Sequence, residues 1–406
     1  MVTVTPSDPP DPMSINVIDL FAGCGGFSVG FRSFLPDGAK ASPFRSIAAV
    51  EFDPAAAGTY ALNFGSSHVH AGDIADFEPE PFAGKADVIM GGPPCQGFSG
   101  LGKGLPDDPR NLLWREYMRV VTVVRPKIFV LENVDRFLRS AQFADLEAAT
   151  EKPNGKLRDY KLTTKILNAA DYGVPQARRR VIVIATRRDL PALEHPAPTH
   201  SKYVAEPSRA QALFGEDDPT PLLPWTSVAG VFGRTSRRRI TSTQLPEGRV
   251  CNPLGTVLPG HYETTELHIG RTPTALSLAR YEAILPGGNR NHLTGKTALI
   301  DGEQIDLSTP SWDAHTKGSG DVMGRLHLTK PSVTIRTEFY KPEKGRYLHP
   351  TLPRPITHFE AALIQGFPDD YRWSGSKIQI ARQIGNAVPV GLGKALAGAI
   401  HKHLRG

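Results

Sequence analysis

The first strand-like run of the chain ends in a glycine-rich turn, and this junction constrains the fold more than any other feature. Ile15–Leu20 is predicted to be a buried strand, and a helical stretch, Gly26–Leu35, follows the turn. Apolar runs then alternate with helical stretches to about residue 186. Further strands are predicted at Ser46–Glu51, Ala86–Met90, Ile128–Glu132 and Val181–Ala185, and helices at Pro54–Phe64 and Leu112–Val124. This alternation predicts an α/β fold with a Rossmann-like, doubly wound and mostly parallel sheet.

The pattern changes after about residue 190. Residues 191–350 are rich in Pro, Gly, Thr and charge and have no clear period, which predicts a smaller, irregular, mostly β or loop-rich domain. Helical stretches return at His358–Gln365, Lys377–Ile384 and Leu392–Leu404. Residues 1–12 are rich in Pro and Asp and are predicted to be a disordered tail.

Composition narrows the class of protein. Of 406 residues, 40% are hydrophobic and 22% charged, which is typical of a soluble globular protein. No apolar run approaches the length of a membrane span, and the N-terminus lacks a signal-peptide pattern, so no membrane contact is expected. The three cysteines, Cys24, Cys95 and Cys251, argue against a disulfide framework and fit a reducing cytoplasm. No Cys/His cluster has metal-ligand spacing, so no metal is expected.

Positive charge is concentrated in short runs. The formal net charge is +6, and arginine runs occur at Arg178–Arg180, Arg187–Arg188 and Arg237–Arg239. Any single run is typical of solvated surface. Three of them together favour contacts with the phosphates of a polyanion.

The glycine-rich turn and two later carboxylates indicate a cofactor site. The turn lies where the first strand ends, so its backbone can approach a ligand at the carboxyl edge of a parallel sheet. Its spacing is not that of a dinucleotide fingerprint, and it lacks the P-loop lysine. Glu51 ends the second strand and could accept from both hydroxyls of a ribose, while Asp73 could accept from an adenine amine. Each alone is typical of a surface or capping residue, but together they favour an adenosine-bearing cofactor.

Cys95 is the most distinctive candidate nucleophile. It stands in the run Gly-Gly-Pro-Pro-Cys-Gln-Gly-Phe-Ser at 91–99, directly after a predicted strand and two prolines. A free cysteine is usually a small buried hydrophobe. Here glycines follow at 97, 100, 102 and 104 and predict a loop that can close over a substrate and exclude water. A thiolate in that setting is a strong nucleophile near neutral pH.

Three other segments carry candidate site residues. Glu132, in Glu-Asn-Val at a strand end, could hydrogen-bond the amine of a base and protonate a ring nitrogen, although alone it would be a capping residue. Arg178 and Arg180 alternate along a predicted strand and could hold a base oxygen or a phosphate. Near the C-terminus, Gly385-Asn386 predicts a turn that packs against a ligand.

In this order the segments resemble the DNA (cytosine-5) methyltransferase family of the bacterial, S-adenosylmethionine-dependent type. The resemblance covers residues 15–186 and 350–400. It rests on these blocks: DLFAGCGGFSVGF, Glu51, GDI, GGPPCQGFS, ENV, QARRRV, RPITHFEAALIQGFPDDY and QIGNAVP. One departure is that Phe359 and Leu363 stand where the family often has arginines. The fold implied is that of a class I methyltransferase.

The resemblance implies a catalytic role for each block. Cys95 would add to carbon 6 of a cytosine flipped out of duplex DNA, and Glu132 would steady and protonate its ring nitrogen. Arg180, with Arg178, would hold the base or adjacent phosphates. Carbon 5 would then take the methyl group of S-adenosylmethionine, leaving S-adenosylhomocysteine.

The resemblance also implies the binding residues. The cofactor pocket would be formed by Phe21, Gly23, Gly25, Glu51, Asp73, Ile74, Pro94, Asn386 and Val388. Gln96, Ser99 and Arg110 would belong to the loop that closes on DNA. Separately, the clustered charge of Arg237, Arg238 and Arg239 favours contacts with phosphate.

Domain organisation and partners follow from the same resemblance. Residues 13–190 with 380–406 would form the catalytic domain, 191–350 the target-recognition domain and 351–379 a connecting hinge. The expected partner is double-stranded DNA, with a cognate restriction endonuclease or defence-system proteins as further candidates. The enzyme would act as a monomer in the bacterial cytoplasm, associated with the nucleoid, in restriction-modification or phage defence. The sequence does not give the recognition site.

Two other functions remain open at this point. A tRNA cytosine-5 methyltransferase shares the catalytic blocks, but that branch has a shorter insert before RPIT and usually a Cys-Phe-Thr signature, which is missing here. A non-catalytic DNA-binding protein on the same scaffold would be expected to have a damaged Pro-Cys or Glu-Asn-Val block, and both blocks are whole.

Overall fold

A computed structural model describes residues 14–94, 109–203, 221–314 and 320–406. The side chains of residues 109–112 lie outside that description. The strands are β1 (Ile15–Leu20), β2 (Phe44–Glu51), β3 (Val69–Ala71), β4 (Val88–Gly91), β5 (Ile128–Asn133), β6 (Tyr160–Asn168), β7 (Gln176–Ala177), β8 (Arg179–Arg187), β9 (His200–Ser201), β10 (Leu223–Pro224), β11 (Val250–Cys251), β12 (Leu258–Glu263), β13 (Thr297–Ile300), β14 (Glu303–Asp306), β15 (Ser332–Val333) and β16 (Arg372–Ser374).

The helices alternate with these strands in the first half of the chain. They are α1 (Gly26–Arg32), α2 (Pro54–Phe64), α3 (Pro109–Val124), α4 (Ala141–Glu151), α5 (Ala229–Thr235), α6 (Ala275–Ala283), α7 (Pro310–Asp313), α8 (His358–Gln365), α9 (Lys377–Asn386) and α10 (Val390–Arg405). Helix α1 ends three residues before the predicted limit, where the Ser33 hydroxyl donates to the carbonyl of Val29.

A seven-stranded sheet in the order β3-β2-β1-β4-β5-β8-β6 is the centre of the fold. The pairs from β3 to β5 are parallel, and β8 is antiparallel to both of its neighbours. The predicted doubly wound, mostly parallel α/β fold is therefore confirmed. The strand order reverses beside β1, because β2 and β3 lie on one side of it and β4 and β5 on the other. In such sheets the carboxyl ends at this switch point form the ligand crevice.

The C-terminal helix α10 packs against the first helix. Leu392, Leu396 and Ile400 share a buried cluster with Phe27 and Phe31. Burial of side chains of this size contributes roughly 1.5–3 kcal/mol each. The end of the chain therefore lies on the same face of the sheet as the glycine-rich turn.

Residues beyond 190 pack around a second buried cluster. Between 191 and 350 the described strands are two to six residues long, as the irregular composition predicts. Every residue of α8, inside the predicted hinge 351–379, is buried. Its residue Phe359 shares this cluster with Phe232, Tyr262 and Trp373. The predicted domain boundaries stay a prediction.

Candidate active site at the switch point of the sheet

The ends of β4 and β5 lie side by side at the switch point. The Asn133 amide donates to the carbonyl of Pro93 at 3.1 Å, which ties the Glu-Asn-Val block to the Pro-Pro corner. A Cβ placed on Gly92 would lie 3.1 Å from Glu132 Oε2. The carboxylate therefore lies against the backbone that leads into Cys95. Cys95, Gln96 and Ser99 lie outside the described residues, and so does the side chain of Arg110 at the start of α3.

Glu132 is buried and forms an ion pair with Arg180. Glu132 is 8% exposed, and Arg180 Nε lies 2.8 Å from Glu132 Oε1. The two atoms are close enough for an ion pair, but that oxygen has no aligned hydrogen-bond donor within the described residues. A buried carboxylate oxygen without such a donor is costly in a folded chain, and a ligand that supplies one would relieve that cost.

Arg178 is buried against backbone. It lies between β7 and β8, is 3% exposed, and donates to the carbonyls of Ile335, Gly385 and Asn386 at 3.1, 3.0 and 3.5 Å. Burial and the nearby charge of Arg180 lower the pKa of Arg178 to about 9, so it keeps its charge at neutral pH. Its guanidinium is bound to backbone carbonyls, and its predicted contact with a base or phosphate stays a prediction.

Glu51 holds the glycine-rich turn. Its Oε2 accepts from the amide of Gly23 and its Oε1 from the amide of Asp53, both at 2.8 Å. Burial raises the pKa of Glu51, and the two amide hydrogen bonds oppose that effect. The carboxylate retains lone pairs beyond these two bonds, so it can still accept from ligand hydroxyls.

The turn itself is shaped by left-handed backbone. Phe21 has φ of 56°, which is uncommon for a residue with a side chain and is often found at functional sites. Gly25 has φ of 88°, and a Cβ there would lie 2.6 Å from the ring of Phe64, so glycine is required. A Cβ at Gly23 would meet no atom within 4 Å, so the space beside this turn is open.

Asp73 and Ile74 lie just after the end of β3. Asp73 is half-buried, and its Oδ1 accepts from the amide of Ala75 at 3.0 Å. Arg119 of α3 donates to the carbonyls of Ile74 and Phe77 at 2.8 and 3.0 Å. The helix that follows residues 95–108 thus supports the turn that carries the predicted adenine contact.

The C-terminal block reaches the glycine-rich turn. A Cβ on Gly26 would lie 2.5 Å from the carbonyl oxygen of Val388, so these backbones are in direct contact. Gly385 and Asn386 are the last two residues of α9 instead of the predicted turn, and Asn386 is exposed at that end. Pro94 is also exposed. The predicted cofactor residues therefore surround one edge of the sheet.

Two residues beside the candidate site, Phe52 and Asn133, were not singled out from the sequence. Phe52 directly follows Glu51, and 73% of it is exposed. The signal in the sequence is an aromatic residue directly after a candidate ribose carboxylate. Asn133 was noticed only as part of a block, and its bond to Pro93 depends on a contact between residues 40 positions apart.

The arginines at 237–239 follow α5 and are exposed. The guanidinium of Arg238 lies 5.2 Å from the centre of the Phe359 ring, a cation–π geometry. Arg238 and Arg239 border a cleft of about 480 Å³ that Glu266 and His268 also line. Among the residues that the structure describes, no group of His, Cys, Asp and Glu could hold a metal ion, and no helix could span a membrane.

Comparison with known families decides the class of this site. A family model described as C-5 cytosine-specific DNA methylase matches residues 15–402. The chain belongs to this family. It is an enzyme, a DNA (cytosine-5-)-methyltransferase, and it methylates cytosine in DNA.

Curated relatives extend over nearly the whole chain. The type II methyltransferase M.XorII of Xanthomonas oryzae pv. oryzae is 32% identical over 96% of this chain and 85% of its own length. M1.HphI of Haemophilus parahaemolyticus is 31% identical over 96% of this chain and 87% of its own.

Solved structures agree on the fold. A protein described as a prophage-encoded DNA modification methyltransferase of E. coli matches with a TM-score of 0.63 and 24% identity, covering 97% of this chain and all of its own. The Dnmt2 methyltransferase of S. pombe matches with a TM-score of 0.53 and 17% identity, covering 97% of this chain and all of its own.

Proposed function

We propose that the enzyme transfers a methyl group from S-adenosylmethionine to carbon 5 of a flipped-out cytosine in a specific duplex sequence, through a covalent adduct with Cys95. The observation that carries this proposal is the buried carboxylate of Glu132 at the switch point. It lies against the backbone that leads to Cys95, forms an ion pair with Arg180, and keeps one oxygen without an aligned donor among the described residues. A cytosine amine or protonated ring nitrogen would supply that donor.

In the proposed chemistry the Cys95 thiolate forms a bond to carbon 6 of the cytosine. Glu132 takes up a proton from solvent when the base binds and donates it to the ring nitrogen, so the electrons of the carbon 5–carbon 6 double bond become available at carbon 5. Carbon 5 would then form its bond to the methyl group while the bond between that methyl and the sulfonium sulfur breaks, and the sulfur would keep the electron pair, which leaves S-adenosylhomocysteine. Solvent or a nearby base takes the proton from carbon 5, the sulfur–carbon bond breaks, and its electron pair returns to the thiolate. The ring nitrogen returns its proton, which restores the aromatic ring.

Arg180 has a supporting part in these steps. Its guanidinium lies 2.8 Å from Glu132 Oε1, and both groups are largely buried. An ion pair with little solvent around it fixes the carboxylate in one position. Pre-organised groups of this kind lower a barrier because nothing must reorient when charge develops in the ring. Arg180 can also donate to the base oxygen.

The glycine-rich edge of the sheet fits S-adenosylmethionine, which supplies an activated methyl group when bound. Glu51 has acceptor capacity left for two ribose hydroxyls, and Asp73 has a second carboxylate oxygen for an adenine amine. The exposed ring of Phe52 offers a surface on which adenine can stack. Phe21, Gly23, Gly25, Ile74, Pro94, Asn386 and Val388 complete the proposed pocket.

Double-stranded DNA is the proposed partner. The base must leave the stack because its reacting face is otherwise covered, and the loop with Gln96 and Ser99 is proposed to close on it, with Arg110 nearby. Arg237, Arg238 and Arg239 are proposed to touch phosphates of the duplex. Type II relatives support a place in restriction-modification, with a cognate endonuclease or other defence proteins as partners. The enzyme is proposed to act as a monomer in the bacterial cytoplasm, at the nucleoid.

Covalent trapping tests this mechanism. Bisulfite sequencing of DNA from a methylase-free host that expresses the chain first identifies the methylated site. A duplex with 5-fluorocytosine at that site should then form a denaturation-resistant adduct, because fluorine blocks loss from carbon 5. Cys95→Ala should form no adduct, whereas Cys251→Ala, at a half-buried cysteine, should form it as the wild type does. An adduct with the Cys95→Ala variant would overturn the nucleophile assignment, and trapping only on tRNA would overturn the substrate.

A further inference from the structure

A buried series of hydrogen bonds joins four separate segments of the protein. Gln176 donates from Nε2 to Gln365 Oε1 at 2.8 Å, and Gln365 donates from Nε2 to the carbonyl of Ile384 at 2.6 Å. The amide of Ile335 donates to Gln176 Oε1 at 2.8 Å. Both glutamines are 0% exposed. These hydrogen bonds therefore connect Ile335, through α8, to the end of α9 in a region closed to solvent.

The direction of this series of hydrogen bonds is fixed at both ends. Ile335 contributes a backbone N–H, which can only donate, and Ile384 contributes a carbonyl, which can only accept. Each glutamine amide thus has one orientation that satisfies its neighbours. A carboxylate at Gln176 has the same shape but no donor. It would leave Gln365 Oε1 facing an acceptor in a site closed to water, which costs about 1–3 kcal/mol.

Arg178 closes the same network from the other side. It donates to the carbonyl of Ile335, whose amide Gln176 already holds, and to the carbonyls of Gly385 and Asn386. A Cβ at Gly385 would lie 2.4 Å from backbone atoms of Arg336 and Thr337. Residues 332–337 are therefore held directly against the end of α9.

The same segment pairs with β7, which directly precedes β8, the strand that carries Arg180. Ser332 and Val333 form β15, which pairs in parallel with β7, and the amide of Ser332 donates to the carbonyl of Pro175 at 2.9 Å. Two residues beyond Arg178, Arg180 forms the ion pair with Glu132. Arg336, next to Ile335, is exposed, so a cationic side chain faces solvent from this segment.

We propose that Gln176, Arg178 and Gln365 are positioning residues that make cofactor binding at the end of α9 depend on the position of residues 332–337. This segment is the part of the predicted recognition domain that pairs with β7. This inference rests on the proposed cofactor pocket, because Asn386 belongs to it. A displacement of residues 332–337 would leave buried hydrogen-bond donors and acceptors at the end of α9 without partners. A duplex that fixes those residues therefore lowers the ordering cost of cofactor binding, and the reverse holds by linkage.

The test uses S-adenosylhomocysteine as an unreactive probe and the full-length chain. Its dissociation constant is measured by calorimetry with and without a duplex that contains the methylated site. The wild type should bind the probe about five-fold or more tightly with DNA. Gln176→Glu and Arg178→Lys should each bring the ratio of the two dissociation constants, without and with DNA, close to one. Arg179→Lys is the matched control, because Arg179 is exposed beside Asp135, and it should keep the wild-type ratio.

The inference would be overturned if DNA did not change the dissociation constant of the probe for the wild type. It would also be overturned if the two variants showed the same effect of DNA as the wild type. Failure of the wild type to bind the probe at all would instead refute the proposed function. Hydrogen exchange of the wild type needs no variant and decides the matter even if a variant does not fold. The probe alone should slow exchange of the Ile335 amide, and unchanged exchange across 332–337 would refute the coupling.

Discussion

Replacement of Asp19 by asparagine should change how the stability of the enzyme depends on pH. Asp19 lies near the end of β1, is 1% exposed, and accepts from the Ser28 hydroxyl at 2.7 Å. Burial raises the pKa of Asp19 from 3.8 to about 7, the Ser28 hydrogen bond opposes the rise, and the charge of Glu51 adds to it. The carboxyl is thus protonated in the native state over a range in which the unfolded chain has lost that proton.

The sign and size of the effect follow from proton linkage. Since the native pKa is the higher one, the contribution of Asp19 to stability is fully present below about pH 4 and is lost as pH rises through 7. A shift of about three pKa units corresponds to about 4 kcal/mol, at 1.36 kcal/mol per unit. Asparagine cannot ionise, so Asp19→Asn should gain up to about 4 kcal/mol relative to the wild type between pH 4 and pH 8.

Urea denaturation of both proteins across that pH range is the assay. Any fixed cost of the asparagine amide appears at every pH, so the change in the difference between the two proteins isolates ionisation. Ser28→Ala removes the hydrogen bond that lowers the pKa of Asp19 and should extend the pH-dependent window upward. A difference between wild type and Asp19→Asn that stays constant from pH 4 to pH 8 would refute the reasoning.

Two further substitutions test the pocket and the DNA surface. Arg119→Met removes the donors to the carbonyls of Ile74 and Phe77, so it should weaken binding of S-adenosylhomocysteine roughly ten-fold, at about 1.4 kcal/mol net for the pair. Calorimetry measures this, with the exposed Arg115→Met of the same helix as control, and equal affinities would remove Arg119 from the pocket. Arg239→Gln should lower the slope of log K against log salt by about one if its guanidinium touches phosphate. A slope equal to that of the wild type would mark Arg239 as solvated surface.

The positions of helices and strands were predicted best where apolar runs are bounded by clear capping or turn residues. The predicted bounds of β1, α2 and α8 are those of the structure. Helix α2 begins after Asp53, whose carboxylate accepts from the amides of Ala55 and Ala56, and Pro54 takes the first helical position. Helix α8 has a Thr357–Glu360 capping box and ends at Gly366.

The elements that were missed lack a clear apolar pattern. Strand β6 lies at the edge of the sheet, and its sequence mixes lysine and threonine with apolar residues because much of it is exposed. Helix α4 buries only Leu146 and Thr150, so it has no apolar stripe for a periodic pattern to detect. In both cases the stabilising contacts come from tertiary packing, which a single sequence does not display.

The sequence singles out candidate residues at strand ends but not side chains whose partners are distant in sequence. Glu51 and Asp73 were singled out because parallel strands bring their carboxyl ends to one edge. Gln176 and Gln365 were passed over as ordinary polar residues. Their hydrogen bond joins positions 189 residues apart, and neither has a local pattern that distinguishes it from a surface glutamine.

The run of three arginines shows most clearly where local reasoning stops. Arg178 is buried among backbone carbonyls, Arg179 is exposed at 3.3 Å from Asp135, and Arg180 pairs with Glu132. Arg179 and Arg180 are successive residues of β8, so their side chains point to opposite faces of the sheet. This alternation does not explain why Arg178 and Arg180 differ. That difference arises because residues 332–337 and the end of α9 cover Arg178 and leave Arg180 beside the switch point, so three equal charges in sequence have three different environments.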